Sequence, residues 1–356
     1  PKVTIIPSTS ICASQIQIEN PTVFEHPVER KPAVLDREAY QKAMLKKFNE
    51  SKSVPYPELE MAKSWLVEDL KVHIKDCSFL TMEEAIDGET HYGTVPPLAM
   101  DTSPGLPWMK FKPPNTKGKE HLFTTDNVGK RRPKPALQAA VHRTLVKHAN
   151  GTASTSVFRG TLKDERRDLS RVFEKKTRIF TAGPVEKTIV DRMYYGDFIY
   201  QFKHACIKLG SAYGIDPEGL QWSELINTHL KIGSRHFGFD YSGFDASENN
   251  ALTQASIDVI KQFYPEACWT ALDCSAVESF NHHVLMGRNV YKAHQGNPSG
   301  CVMTTVTNTL VNMLLMYICY IKLSTKCAPS LCNRVAYHEC VAFHAYGDDF
   351  ICTVSS

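Results

Sequence analysis

Excess charge is missing from this chain. Its 41 lysines and arginines nearly cancel 38 aspartates and glutamates, leaving +3 over 356 residues. A globally basic nucleic-acid coat is thereby excluded, and any basic footprint has to be local. Long apolar runs are also scarce. The most apolar stretch, Met313 to Leu323, is too short to span a bilayer, so no transmembrane segment is expected. The opening Pro1-Lys2-Val3-Thr4-Ile5-Ile6 passes into polar sequence and carries no signal peptide. It also lacks an initiator methionine, as expected of a processed product or a trimmed piece. There is no internal repeat. The 11 cysteines are odd in number and follow no framework, which points to reduced thiols in a cytosolic compartment. Cys327, Cys332, His338, Cys340 and His344 do gather, but their spacings match none of the common zinc patterns.

What is present is a globular composition, 42% hydrophobic against 22% charged, with length for more than one cooperative unit. Residues 1 to about 35 read as an extended, proline-punctuated segment that must pack across another part. Helices are expected over Leu35 to Phe48, Pro57 to His73, 184 to 209, Glu248 to Phe263 and Cys301 to Leu323. Residues 88 to 135, rich in glycine and proline, read as ordered loops with a basic cluster at Lys130-Arg131-Arg132-Pro133-Lys134. Strands alternate with these helices, predicting an α/β (α+β) sheet packed on one face by helices.

Chemistry first shows near the end. Tyr346-Gly347-Asp348-Asp349 stands between Val341-Ala342-Phe343-His344-Ala345 and Phe350-Ile351-Cys352-Thr353-Val354, which predicts a β-hairpin with two carboxylates at its tip. Plain turn chemistry would account for such a tip. The alternative is a divalent cation, because adjacent carboxylates repel unless neutralised. A second acidic strand exists at His236-Phe237-Gly238-Phe239-Asp240, although Asp240 also suits a cap before the following helix. If Asp240 and Asp348 share a sheet edge, they could hold two Mg²⁺. Such ions activate a hydroxyl and stabilise a leaving pyrophosphate.

Two further features gain meaning from their order. Lys163 to Arg178 holds seven Lys/Arg and four Asp/Glu. It is either a solvated charge run or a β-ribbon able to hold a triphosphate. Gly296-Asn297-Pro298-Ser299-Gly300 opens a helix whose Thr304, Asn308 and Asn312 recur every four residues. That stripe reads either as one wet helix face or as a continuation of a phosphate-binding loop.

Asp240-Tyr241-Ser242-Gly243-Phe244-Asp245-Ala246-Ser247, then Gly296 to Asn308, then Tyr346-Gly347-Asp348-Asp349 resembles motifs A, B and C of picornavirus-type RNA-dependent RNA polymerases. Lys163 to Arg178 resembles motif F, and Thr102-Ser103-Pro104-Gly105-Leu106-Pro107 resembles motif G. The likeness runs from about residue 95 to 356 and is closest to picorna-like viruses broadly. It implies a right-hand polymerase with a ferredoxin-like antiparallel palm, replicating a positive-strand viral genome with two Mg²⁺, for which Mn²⁺ can substitute. Asp240 and Asp348 would bind the metals and Asp349 would support them. Asp245, Asn308, Ser299 and Thr304 would sense the ribose 2′-OH. Lys163, Arg167 and Arg178 would hold the incoming nucleotide. Thr102, Ser103, Arg171, Lys176 and Gly300 would contact RNA.

The resemblance further implies fingers over 1–194 and 276–296 and palm over 195–275 and 297–356, with motif D, motif E and the thumb missing after motif C. Motif D is the family's source of a general-acid lysine, so a lysine-bearing motif D and a helical thumb are expected just beyond residue 356. Implied partners are template and product RNA, nucleoside triphosphates, a small protein primer and other replication proteins. The implied location is membrane-associated replication complexes in the host cytoplasm. The rival readings are another palm polymerase such as a reverse transcriptase, a non-catalytic RNA-binding fragment, and a two-metal nuclease. Asp245 argues against the reverse transcriptase, whose site would favour a bulky block to the 2′-OH.

Overall fold

The computed structural model describes residues 30–45, 53–216, 218–239, 241, 244, 248–293 and 295–355. In chain order the elements are β1 (Arg30–Pro32), α1 (Arg37–Leu45), α2 (Tyr56–Lys71), α3 (Met82–Asp87), β2 (Glu89–Thr90), β3 (Gly93–Thr94), β4 (Phe123–Thr125), β5 (Arg131–Pro133), α4 (Pro135–Ala149) and β6 (Val157–Leu162). They continue with β7 (Arg166–Asp168), α5 (Leu169–Phe173), β8 (Ile179–Ala182), α6 (Val185–His204), α7 (Gln221–Ile232), β9 (Arg235–Phe237), α8 (Asn250–Lys261) and α9 (Trp269–Phe280). The last are β10 (His283–Met286), β11 (Asn289–Lys292), α10 (Thr304–Cys327), α11 (Arg334–Cys340), β12 (Val341–Tyr346) and β13 (Asp349–Val354). The chain divides into a smaller unit, residues 1–44 and 162–179, and a larger one, residues 45–161 and 180–356.

Local chemistry sets several boundaries. In α2, Leu59, Ala62, Leu66 and Leu70 fall at helical spacing on one buried face. A reciprocal Thr81–Glu84 capping box starts α3, and Gly88 in the left-handed region ends it. Pro135 opens α4, where its missing N–H is harmless.

The larger unit is built on two sheets. One has the order β11-β10-β6-β8, with β10 parallel to β6 and antiparallel to β11. The other has the order β12-β13-β9, antiparallel throughout, with Tyr346 opposite Asp349 and Cys352 opposite Phe237. Its core runs continuously through Leu66, Phe198, Phe202, Ile260, Leu272, Leu310 and Leu314.

The helix α10, expected over Cys301 to Leu323, forms over Thr304–Cys327. At 24 residues it has the length and composition to cross a bilayer, yet 67% of its apolar window is buried inside the protein. It packs against α2, α8 and β12 and buries Asn308 and Asn312, which is the character of a core helix. At its far end, the Asp69 carboxylate on α2 accepts from the Tyr317 hydroxyl, the Arg334 guanidinium and His338 Nε2, tying α2 to α10 and α11. Burial acts to raise the Asp69 pKa, but these hydrogen bonds hold it below the usual carboxylate value.

Within the smaller unit, Ala39, Ala43 and Leu162 form a small core with Val34, Tyr40 and Ile179. The expected β-ribbon over 163–178 is corrected here. Its ends do meet, since the Lys163 amide donates to the Arg178 carbonyl at 2.8 Å. Between them, however, β7 pairs antiparallel with β1, and Leu169–Phe173 is helical. The reason is the competing partner: β1 pairs with β7 through Arg30, Lys31 and Pro32, and the Arg166 guanidinium donates to the Arg30 carbonyl at 2.7 Å.

Candidate active site

The acidic hairpin forms as its sequence predicts. Gly347 and Asp348 make a two-residue turn, and Gly347 takes a φ of +62°, where glycine carries no Cβ penalty. Asp348 is half-buried in the turn, while Asp349 is exposed at the first position of β13. The turn is fastened from below by α10. The Gly347 amide donates to Thr309 Oγ1 at 2.9 Å, and Asn312 Nδ2 donates to the Gly347 carbonyl at 3.2 Å, with the Asp348 carbonyl at 3.4 Å.

The polar stripe on α10 is therefore not a wet face. Asn308 and Asn312 are 4% and 1% exposed, too buried for a solvated surface. Asn308 Oδ1 accepts from Asn297 Nδ2 at 2.8 Å, which closes the glycine-flanked loop onto the helix. The Thr304 hydroxyl sits 2.8 Å from the Pro298 carbonyl and 2.9 Å from that of Cys301, and caps the same loop. Ser299 is exposed, and its hydroxyl accepts from the Thr181 amide at 3.1 Å. Gly300 lies so close to Thr181 that an added Cβ would fall 1.9 Å from its carbonyl oxygen. One helix thus holds the loop at its N-terminus and the acidic turn one to two turns further along.

Asp240 and Asp245 lie outside the described residues, as do Ser242 and Gly243. The residues flanking Asp240 are described, and both pack on the hairpin. Phe239 and Tyr241 have ring centroids 5.8 and 5.9 Å from that of Phe350. The Tyr241 hydroxyl donates to Asn312 Oδ1 at 3.2 Å. Burial, with the nearby Cys319 and Asp348 charges, pushes the Tyr241 phenol up to about 12. It stays a neutral donor at physiological pH.

Beneath the loop, the buried Lys187 ammonium contacts Asp191 at 2.8 Å and Glu278 at 3.9 Å, and Glu278 also pairs with His148 Nε2 at 2.7 Å. Asp191 reaches the loop through Cys301 Sγ at 3.4 Å. Burial raises the Cys301 thiol to about 11, so it remains protonated.

Of the other predicted residues, Thr102 accepts from Lys119 Nζ at 2.7 Å, and Ser103 Oγ accepts from the Gly105 amide at 3.2 Å. Thr102, Lys119, Arg192, Lys203, Ser299 and Gly300 line one cleft of about 460 Å³. Burial brings Lys119 down to about 8, against the pull of Asp101. In the smaller unit, Lys163 and Arg167 both pair with Glu165, at 3.0 and 2.7 Å, and Lys176 pairs with Glu174. Burial works to raise Glu165, but hydrogen bonds from Arg167 and Lys163 and the Arg178 charge hold it below its usual value. Arg171 and Arg178 are exposed.

The cysteine–histidine gathering near the end separates into different networks. His344 Nδ1 and Nε2 lie 2.9 Å from His229 Nε2 and from the Ile207 carbonyl, whereas His338 binds Asp69. Lys119, Arg192, Asn297, Thr309 and Tyr241 escaped the sequence reading. Only Asn297 and Tyr241 carried a signal there, as members of the Gly296–Gly300 loop and the Asp240–Ser247 stretch.

A small antiparallel sheet carries an acidic hairpin, braced by a helix that also carries a glycine-flanked loop, and these are the elements expected of a right-hand polymerase. Comparison with known proteins agrees. The model of the family described as viral RNA-dependent RNA polymerase matches residues 15–356, and the chain belongs to that family. It is 30% identical to the genome polyprotein of rice tungro spherical virus (strain Vt6) across 99% of its own length. It is 27% identical to the replicase polyprotein of acute bee paralysis virus across 86%, and 30% identical to the human hepatitis A virus genome polyprotein across 83%. The chain spans 11%, 16% and 12% of those three polyproteins. Its fold matches a sicinivirus 3Dpol RNA-dependent RNA polymerase with a TM-score of 0.77 and 24% identity, covering 94% of this chain and 67% of that one.

Proposed function

We propose that this chain carries the fingers and part of the palm of a viral enzyme that copies RNA into RNA. It adds nucleotides from nucleoside triphosphates to a primer 3′-OH. The division follows the sequence: fingers over 1–194 and 276–296, palm over 195–275 and 297–356. The observation that carries the reading is the bracing of the acidic turn and the Ser299–Gly300 loop by the single helix α10.

The donors at the hairpin are hard carboxylate oxygens, which fit Mg²⁺ or Mn²⁺. Asp240 and Asp348 would hold two such ions, with Asp349 beside them. When bound, the ions would neutralise phosphate charge and activate the attacking hydroxyl. The protein's own work is positioning. Tyr241 and Asn312 fix the two acidic segments against each other. Asn308, held by Asn297, and Thr304 fix the loop that presents Ser299, and these residues with Asp245 would sense the ribose 2′-OH. Lys163, Arg167 and Arg178 would exchange their Glu165 contacts for the triphosphate. Arg171 and Lys176 would contact RNA. Thr102, Ser103 and Gly300, with Lys119 and Arg192, would guide the template through their cleft. A small protein primer, other replication proteins and membrane-associated complexes in the host cytoplasm complete the proposal.

The test is Asp348→Ala in the full-length protein. Primer extension should fall by at least roughly a hundredfold while RNA affinity changes little, because phosphate contacts dominate affinity. Unimpaired extension would sink the reading, and intact RNA binding and biological function in the variant, with no synthesis by either protein, would favour a binding module. RNA degradation with Mg²⁺ and no need for nucleotides would favour the nuclease. Asp245→Ala should erode the preference for ribonucleotides over deoxyribonucleotides, read from competing incorporation.

A further inference from the structure

A second pocket, of about 370 Å³, opens on the larger unit in a region the proposed reaction does not use. That size lies within the usual range of small-molecule sites, ~300–1,000 Å³. Its walls come from separated stretches: His73 and Lys75 beyond α2, Tyr200 and His204 on α6, Lys208 just after it, and Glu224 on α7.

Two features define its chemistry. Tyr200 and His204, one helical turn apart, stack with ring centroids 4.0 Å apart and planes 29° apart, so that Tyr200 backs the exposed His204 ring as an aromatic platform. His204 Nδ1 lies 2.9 Å from the Tyr200 carbonyl, which fixes the imidazole and leaves Nε2 without a protein partner among the described residues. Lys75 and Lys208 supply two ammonium groups, and neither has an acidic partner among the described residues. Lys208 lies near His73, whose pKa burial and the Lys208 charge both lower. The segment bearing Lys75 is pre-set. Its amide donates to Gln201 Oε1 at 2.8 Å, and Gln201 Nε2 donates back to the Lys75 carbonyl at 3.3 Å.

We propose that this pocket binds a nucleoside phosphate, with the base on the Tyr200–His204 platform and the phosphate between Lys75 and Lys208. Aromatic platforms are worth ~1–3 kcal/mol per stacked base and tolerate any base, and lysine meets phosphate as a point charge. Glu224 places a negative charge on the same wall. It disfavours a ligand acidic along its whole length, such as an acidic peptide, and admits one charged at a single end. The nucleoside phosphate comes either from a free nucleotide or from one residue of an RNA strand.

The experiment is a fluorescence titration of the full-length protein with mant-ADP and with a labelled uridine octamer, in EDTA so that no divalent metal contributes. Lys75→Glu/Lys208→Glu and His204→Ala should each weaken one or both probes by at least roughly tenfold, and Asp348→Ala should leave mant-ADP unaffected. Loss confined to mant-ADP identifies a free nucleotide, and loss of the octamer identifies RNA. Unchanged binding of both probes, or competition by hexaglutamate where nucleotides fail to bind, overturns the proposal. Photolabelling of the unaltered protein with 8-azido-ADP gives a readout independent of variant folding. Label should map to the peptide holding Tyr200 and His204, and label found only elsewhere also overturns the proposal.

Discussion

Gly347 and Gly300 are both glycines for a reason, and the reasons differ. Gly347 has a left-handed φ, while a Cβ added there would meet only the Asn308 Cβ, at 4.0 Å. Gly347→Ala therefore tests backbone strain alone and should cost about 1–2 kcal/mol in urea unfolding. Gly300 faces a steric wall, since its Cβ would lie 1.9 Å from the Thr181 oxygen. Gly300→Ala should displace the loop and reduce nucleotide addition while moving the unfolding midpoint little. Single residues were legible in the sequence where chemistry demanded a type at a place, as with Asp348 in a two-residue turn. Lys119 and Arg192 were not, because an isolated lysine or arginine looks the same in sequence whether it is exposed or turned into a cleft.

At the scale of elements, α10 is the piece on which the acidic turn and the Ser299–Gly300 loop depend. Asn312 is buried and bonds to the hairpin turn and to Tyr241. Asn312→Ala leaves those partners unsatisfied and should destabilise by about 1–3 kcal/mol, measured by chemical unfolding. Leu314→Ala, in the apolar core, should cost about 2–5 kcal/mol through lost apolar burial and the cavity left behind. Nucleotide addition should then suffer more from the asparagine change than its stability cost explains. The helix was visible in its apolar run and its i+4 polar stripe. Its extent was close, expected over Cys301 to Leu323 and found at Thr304–Cys327, but the burial of that stripe was not legible, because periodicity marks a distinct face without saying what covers it. The failed ribbon at 163–178 has a similar origin. The strand that captures β7 lies 136 residues away from it, and no local pattern announces such a partner.

For the molecule as a whole, pH acts through a buried histidine chain. His229 is 2% exposed, with Nδ1 2.6 Å from Thr353 Oγ1 and Nε2 2.9 Å from His344. Burial, then the neighbouring His344 and His236 charges, bring its pKa down to about 4. The unfolded chain, with an ordinary histidine near 6.5, binds this proton first. Stability is therefore whole above about pH 6.5 and declines as pH falls towards 4. The loss should be on the order of 1–3 kcal/mol, seen as a falling melting temperature, and smaller in His229→Gln. The carboxylates held low, Asp69 and Glu278, stabilise fully above their ordinary values of 3.8 and 4.5 and lose that contribution as pH falls through and below them, which overlaps the acid end of the histidine window. Fold class was readable from alternating patterns and an ordered set of motifs. The division into two units was not, since residues 1–44 join 162–179 across a long gap in sequence.

The bonds that seat the acidic turn link amides, a hydroxyl and carbonyls, all of them uncharged. Added potassium chloride screens ions and leaves such contacts nearly untouched, whereas any hold on an RNA backbone weakens steeply. Brine should thus strip this protein from its template long before it disturbs the machinery that would do the copying.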